Sequence, residues 1–229
     1  MKVMGLGEGA AELRLARVRA WSFWAQAAVV VVSYFVIARL GLLLAFVQTN
    51  ASPLWPPAGL ALASMLVFGP RIALGVGFGA ALVNAATGVP WWTAVVMGAG
   101  NGLEAMAAYW LLGRWRFRPT LESHRDFLAL TGAAAAAGVV SATLGVGGLL
   151  LSGGVSGELF VSVWRIWWVG NVLGVLTSTP VILTFLFPPA PRASTGQPPG
   201  GSRLSCLSRQ SLRLLLRCFS RRSGRGCSF

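Results

Sequence analysis

The chain has 229 residues, 55% hydrophobic and 11% charged, with a mean hydropathy of +0.68 and a formal net charge of +13. Soluble domains carry about a quarter charged residues, and six acids with 19 bases cannot cover the surface of a soluble enzyme or binding module. Ten tryptophans and twelve phenylalanines exclude an unstructured chain, so lipid is the solvent that fits.

Residues 1–20 form a basic leader with Lys2, Arg14, Arg17 and Arg19. The apolar run that follows continues from Trp21 past Phe35 and meets Arg39 before any small-residue cleavage site. It is longer than the core of a signal peptide and reads as a retained anchor. Six apolar stretches lie near the roughly 20 residues that cross a bilayer as a helix: 21–47, 55–69, 72–88, 91–113, 127–151 and 159–187. The expected fold is all-α, a polytopic transmembrane helical bundle of about six spans.

The bases fall on alternate links. Arg71 lies between spans two and three, and Arg114, Arg116, Arg118 and Arg125 lie between spans four and five. The links 48–54, 88–90 and 152–158 have none. This positive-inside pattern places both termini in the cytoplasm.

Small residues recur at helix-contact spacing: Gly75, Gly77 and Gly79; Gly98, Gly100 and Gly102; Gly170 and Gly174. In lipid such residues let helix backbones approach closely. Pro56 and Pro57 suit the first turn of span two, where a missing amide hydrogen costs nothing. Pro180 is expected to kink or end span six, with Thr177, Ser178 and Thr179 placed to bond the freed carbonyls.

Ionisable groups at membrane depth are costly and ask for a partner or a purpose. Glu104 lies near the middle of span four, with Asn101 three residues earlier on the same helical face. Asn84 in span three, Asn171 in span six and Arg165 as a counter-ion complete a candidate intramembrane polar site. Its two readings, a functional site and an interhelical hydrogen-bond set, both stand. Trp91, Trp92, Trp164, Trp167 and Trp168 adjoin the outer links and read as an interfacial belt.

His124 sits in a charged loop, and no Ser/His pair, metal-ligand cluster or phosphate-cradling motif occurs. The chain is therefore expected not to be an enzyme and to hold no metal or cofactor. Residues 188–229 open on two Pro-rich segments, and residues 191–229 hold eight arginines and no acid. Cys206, Cys218 and Cys227, all the cysteines of the chain, lie there too. A tail of this composition is expected to be disordered. A basic tail can bind anionic lipid or RNA non-specifically, and no specific nucleic-acid partner is expected.

The order of the motifs carries more than any one of them. Span two opens Leu54-Trp55-Pro56-Pro57-Ala58-Gly59, and Phe68-Gly69-Pro70-Arg71 follows it. Span three ends Val83-Asn84, span four carries Gly100-Asn101-Gly102-Leu103-Glu104, and span six gives Trp167-Trp168-Val169-Gly170-Asn171-Val172-Leu173-Gly174 and then Thr179-Pro180. The series resembles the first MASE class, the membrane-associated sensor domains of bacterial signalling proteins, over about residues 20–187.

The resemblance implies a multi-pass sensory input module of the inner membrane. Such a module is fused to or associated with a diguanylate cyclase, phosphodiesterase or histidine kinase. Apart from the resemblance, a homo-oligomer is the other partner expected. The resemblance also implies an acidic residue where this chain has Asn171, and further spans with an output domain beyond Phe187. The tail composition then suggests a truncated or frameshifted sensor without its output domain. A small membrane transporter or substrate-capture subunit is the alternative function, and a membrane scaffold is the third.

Overall fold

The computed structural model describes residues 16, 18–42, 52–121 and 123–186. Among them are six α-helices and no strand: α1 (Phe23–Leu42), α2 (Pro56–Phe68), α3 (Ala73–Ala85), α4 (Trp91–Arg114), α5 (His124–Leu151) and α6 (Phe160–Leu186). A short 3₁₀ turn, Pro70–Ile72, joins α2 to α3. The expectations for residues 1–15, for 43–51 and for the tail from residue 187 lie outside the described residues.

Local chemistry sets the ends of these helices. Pro56 and Pro57 occupy the first turn of α2, as the sequence predicts. Gly69 stops α2 with φ +88°, a left-handed value that favours glycine, while its N–H donates to the Met65 carbonyl at 2.9 Å. Ser123 caps α5 by accepting the Arg125 backbone N–H at 3.2 Å, and Asp126 adds an acid in the first turn, where the helix dipole favours it.

The helices pack as a closed ring in the order α1, α3, α4, α5, α6, α2 and back to α1, and α2 also meets α4 across the middle. Small residues set the spacing where α3 crosses α4. A Cβ on Gly98 would lie 2.5 Å from the Gly77 carbonyl oxygen, so only glycine permits that approach. The outer surface is apolar, with Trp24, Leu74, Leu151 and Phe185 each more than 70% exposed, while alanines, glycines and polar side chains lie inside. That inversion of the soluble pattern is what a lipid environment allows.

The basic segments meet at one end of the bundle. Arg19 Nε donates to the Val67 carbonyl at 2.8 Å, beside the Gly69–Arg71 turn. Pro70 of that turn shares a surface groove with Tyr109 and Trp110, one turn from the end of α4. Arg125 Nη2 reaches back to the Trp115 carbonyl at 3.4 Å, and Asp126 Oδ1 accepts the Arg118 N–H at 3.1 Å.

Helix lengths refine the expected spans. α1, α5 and α6 are long and apolar enough to cross a membrane, whereas α2 and the stretch Pro70–Ala85 are shorter. Thirteen residues of α-helix in α2 reach about 20 Å, against a hydrocarbon core of roughly 30 Å. α4 has 24 residues and falls outside the strongly apolar set because its interior carries glycines, Asn101 and Glu104. Pro180 does not end α6, which runs on to Leu186. Of the hydroxyls expected to bond the freed carbonyls, Thr179 donates instead to the Gly59 carbonyl of α2 at 3.1 Å, and Thr177 to the Leu173 carbonyl at 2.7 Å. The proline turn is thereby tied to its neighbour.

Candidate functional site: a polar seam inside the bundle

Two hydrogen-bonded pairs lie at the centre of the ring. Tyr34 Oη of α1 donates to Asn101 Oδ1 of α4 at 3.0 Å, and Asn101 Nδ2 donates to the Met97 carbonyl at 2.8 Å. One helical turn away, Asn171 Nδ2 of α6 donates to Glu104 Oε2 at 2.6 Å. The i, i+3 spacing of Asn101 and Glu104 puts both on the inner face of α4. Tyr34, Asn101, Glu104 and Asn171 are all 5% exposed or less. The seam joins three helices that are separate in sequence. Buried polar groups without water must find one another, and here the partners come from different helices.

A second row of bonds fixes α6 to α5. Trp167 Nε1 donates to Ser141 Oγ at 3.2 Å, Trp168 Nε1 to the Ala135 carbonyl at 2.8 Å, and Trp164 Nε1 to Thr143 Oγ1 at 3.2 Å. Trp164 and Trp168 stack with centroids 6.2 Å apart. Gly145 leaves the room that the Trp167 ring fills, since a Cβ there would approach it to 2.7 Å. These three tryptophans lock helices together by their N–H groups, which a belt reading did not anticipate. Trp91, by contrast, is 77% exposed.

The structure brings together three of the five sequence-predicted polar residues: Asn101, Glu104 and Asn171. Asn84 is buried, but its amide donates to the Ala80 carbonyl of its own helix at 2.8 Å. Arg165 lies on the exposed face of α6, and no ion pair with Glu104 forms. Helical phase explains this, for six residues separate Arg165 from Asn171. That spacing turns the chain by about 240° on a 3.6-residue helix. Tyr34 and Ser141 were missed. The signal for Tyr34 was a polar handle in an otherwise apolar run, since a buried tyrosine hydroxyl usually finds a partner.

The motif residues meet at a junction of α2 and α6. The Trp55 N–H donates to the Gly170 carbonyl at 2.9 Å. A Cβ on Gly170 would overlap the Ser52 carbonyl, and one on Gly174 the Trp55 carbonyl. Gly59 presses in turn on the Gly174 carbonyl, and the Trp55 ring lies against Gly41 of α1. The Trp55-Pro56-Pro57 segment and the Gly170–Gly174 segment, more than a hundred positions apart, are thus two halves of one contact.

The family model of MASE1 matches residues 26–200, most of the chain. The chain belongs to the MASE1 family. It is a membrane sensory input domain of the kind that signalling proteins carry. No characterised protein and no solved structure matches it at a significant level. The MASE1 match takes in the α2–α6 junction and the whole polar seam, and it runs past Phe187 into the first part of the Pro-rich tail.

Three buried polar atoms of this MASE1 chain have no hydrogen-bond partner among the described residues: Thr93 Oγ1, Glu104 Oε1 and Asp126 Oδ2. Glu104 Oε1 lies within the seam itself. Among the described residues no three His, Cys, Asp or Glu side chains come together as a metal site would need.

Proposed function

We propose that residues 21–187 form a six-span, multi-pass input module in the inner membrane, with both termini on the cytoplasmic side and residues 1–20 and 188–229 flanking it. The module performs no catalysis. It passes a stimulus received at membrane depth to a signalling output domain of cyclase, phosphodiesterase or histidine-kinase type, fused or associated, in a monomer or a homo-oligomer. The meeting of Arg19, the Gly69–Arg71 turn and the Trp115–Asp126 loop at one end supports the orientation, because bases favour the cytoplasmic side.

The observation that carries the reading is the seam, two buried side-chain bonds that hold α1 and α6 to α4. A two-state element needs contacts that can exchange without unfolding the whole. Directional bonds between helices meet that need better than apolar packing does. Movement of α6 against α4 would reach residue 186, from which an attached output domain would be driven.

The test fuses the whole chain ahead of a diguanylate cyclase and screens cyclase output against membrane-active stimuli. Output that responds to a stimulus through this chain, and not through an unrelated anchor, is the expected result. Reporters fused at Ser52, Pro119 and Gly200 check the topology, and an outside location for Pro119 would overturn the orientation.

A further inference from the structure

Glu104 is 5% exposed, and its Oε1 has no hydrogen-bond partner. The Ser141 hydroxyl lies beside the carboxyl and accepts from Trp167 Nε1, but it makes no bond of good geometry to Oε1. Next to Glu104 is a cavity of about 10 Å³, about the room that one water needs. Its wall is alanine, leucine and valine, including Ala58, Ala108 and Ala134, apart from Glu104 and Asn101. Asn101 Oδ1 holds one bond, from Tyr34, and a carbonyl oxygen can accept two.

We propose that this cavity is a binding site for a single water molecule, which donates one hydrogen to Glu104 Oε1 and the other to Asn101 Oδ1. Stoichiometry favours water over an ion. Two acceptors match the two hydrogens of water, whereas a hard cation asks for about six oxygens. The water turns two separate pairs into one chain, running Tyr34, Asn101, water, Glu104, Asn171 across α1, α4 and α6. It also supplies the donor that a buried carboxyl oxygen otherwise lacks, which an apolar void could not do.

The site belongs to the seam on which the proposed function rests. Its test reads stability and spectra, so its failure would leave the sensory role standing, and loss of signalling would not touch it.

The experiment fills the cavity in the full chain, in lipid nanodiscs. Two methyl groups outgrow a cavity with room for one water, so packing strain lowers Tm in any background. Displacing a water that satisfies Oε1 should lower Tm by about 3–8 °C more. The expected result is that Ala108→Val lowers Tm, that Ala108→Ser, which brings its own donor, is tolerated, and that the loss on Ala108→Val shrinks by about 3–8 °C in a Glu104→Met background. A rise in Tm for Ala108→Val overturns the proposal. An equal loss in both backgrounds marks a steric clash and also overturns it.

The unmodified protein provides a second readout. Infrared spectra in ordinary and oxygen-18 water should show an isotope-sensitive O–H band that Glu104→Met removes, and absence of that band contradicts the site. Sodium or potassium titration is expected to leave Tm unchanged. A cation-specific rise in Tm that depends on Glu104 would replace water with an ion and defeat the proposal.

Discussion

α6 is held at two places by opposite means. At the α2–α6 junction, backbone lies on backbone: Gly170 and Gly174 receive the carbonyls of Ser52 and Trp55, with one main-chain bond from Trp55 to Gly170. At the seam, level with the junction but about 100° round α6, side chains reach across from Glu104 to Asn171, and beside them from Tyr34 to Asn101. The first contact tolerates no added atom, because close-packed groups relax only partially. The second depends on particular polar atoms but leaves a small cavity beside them. In the proposed function the junction is the fixed point of the bundle and the seam its adjustable part.

Substitutions should separate the two regions by size of effect. The largest loss is expected at the junction. Gly174→Ala forces a methyl into the Trp55 carbonyl and should cost about 3 kcal/mol or more, read as failure to fold or a steep fall in unfolding temperature. A mild effect there would mean that the segment before α2 shifts freely, and the contrast would collapse.

Asn171→Leu comes next. It keeps the volume but removes the donor to Glu104 Oε2, and about 1–2 kcal/mol is expected from detergent unfolding. Tyr34→Phe should cost less, about 0.6–1 kcal/mol, because Asn101 keeps its bond to the Met97 carbonyl. Combining these two seam substitutions sharpens the contrast, since coupling between them would show that the two pairs act as one network. Arg165→Gln should fall within about 0.5 kcal/mol, as expected for an exposed side chain outside the seam. A large loss there would restore an ion pair with Glu104.

Much of this was legible in the chain. The apolar runs located the six helices of the described residues, because sustained hydrophobicity is a strong signal. Asn101 and Glu104 were visible as a pair, because their spacing alone puts them on one face. Their partners were harder to see. Asn171 could be listed but not assigned, since which helices adjoin is a property of the ring and not of any one run. Arg165 was misplaced for want of phase arithmetic along α6. The tryptophans of α6 looked like a belt because position along the membrane normal was readable while rotation about the helix was not. The junction stayed hidden because its glycines answer to a carbonyl more than a hundred residues earlier, and no local pattern encodes that. Helix length was legible only in part. The apolar runs that hold α2 and α3 are longer than the helices themselves, because apolar composition continues past their ends into Trp55 and the Gly69–Arg71 turn.

In the proposed function the seam, and not the outer face of α6, carries the signal. The most direct measurement is the output of a diguanylate cyclase fused behind the whole chain, compared at equal membrane abundance for the unmodified protein, Asn171→Leu, Tyr34→Phe and Arg165→Gln. Both seam variants should shift basal output away from that of the unmodified fusion, while Arg165→Gln leaves it unchanged. Equal output from all four folded fusions would contradict that role.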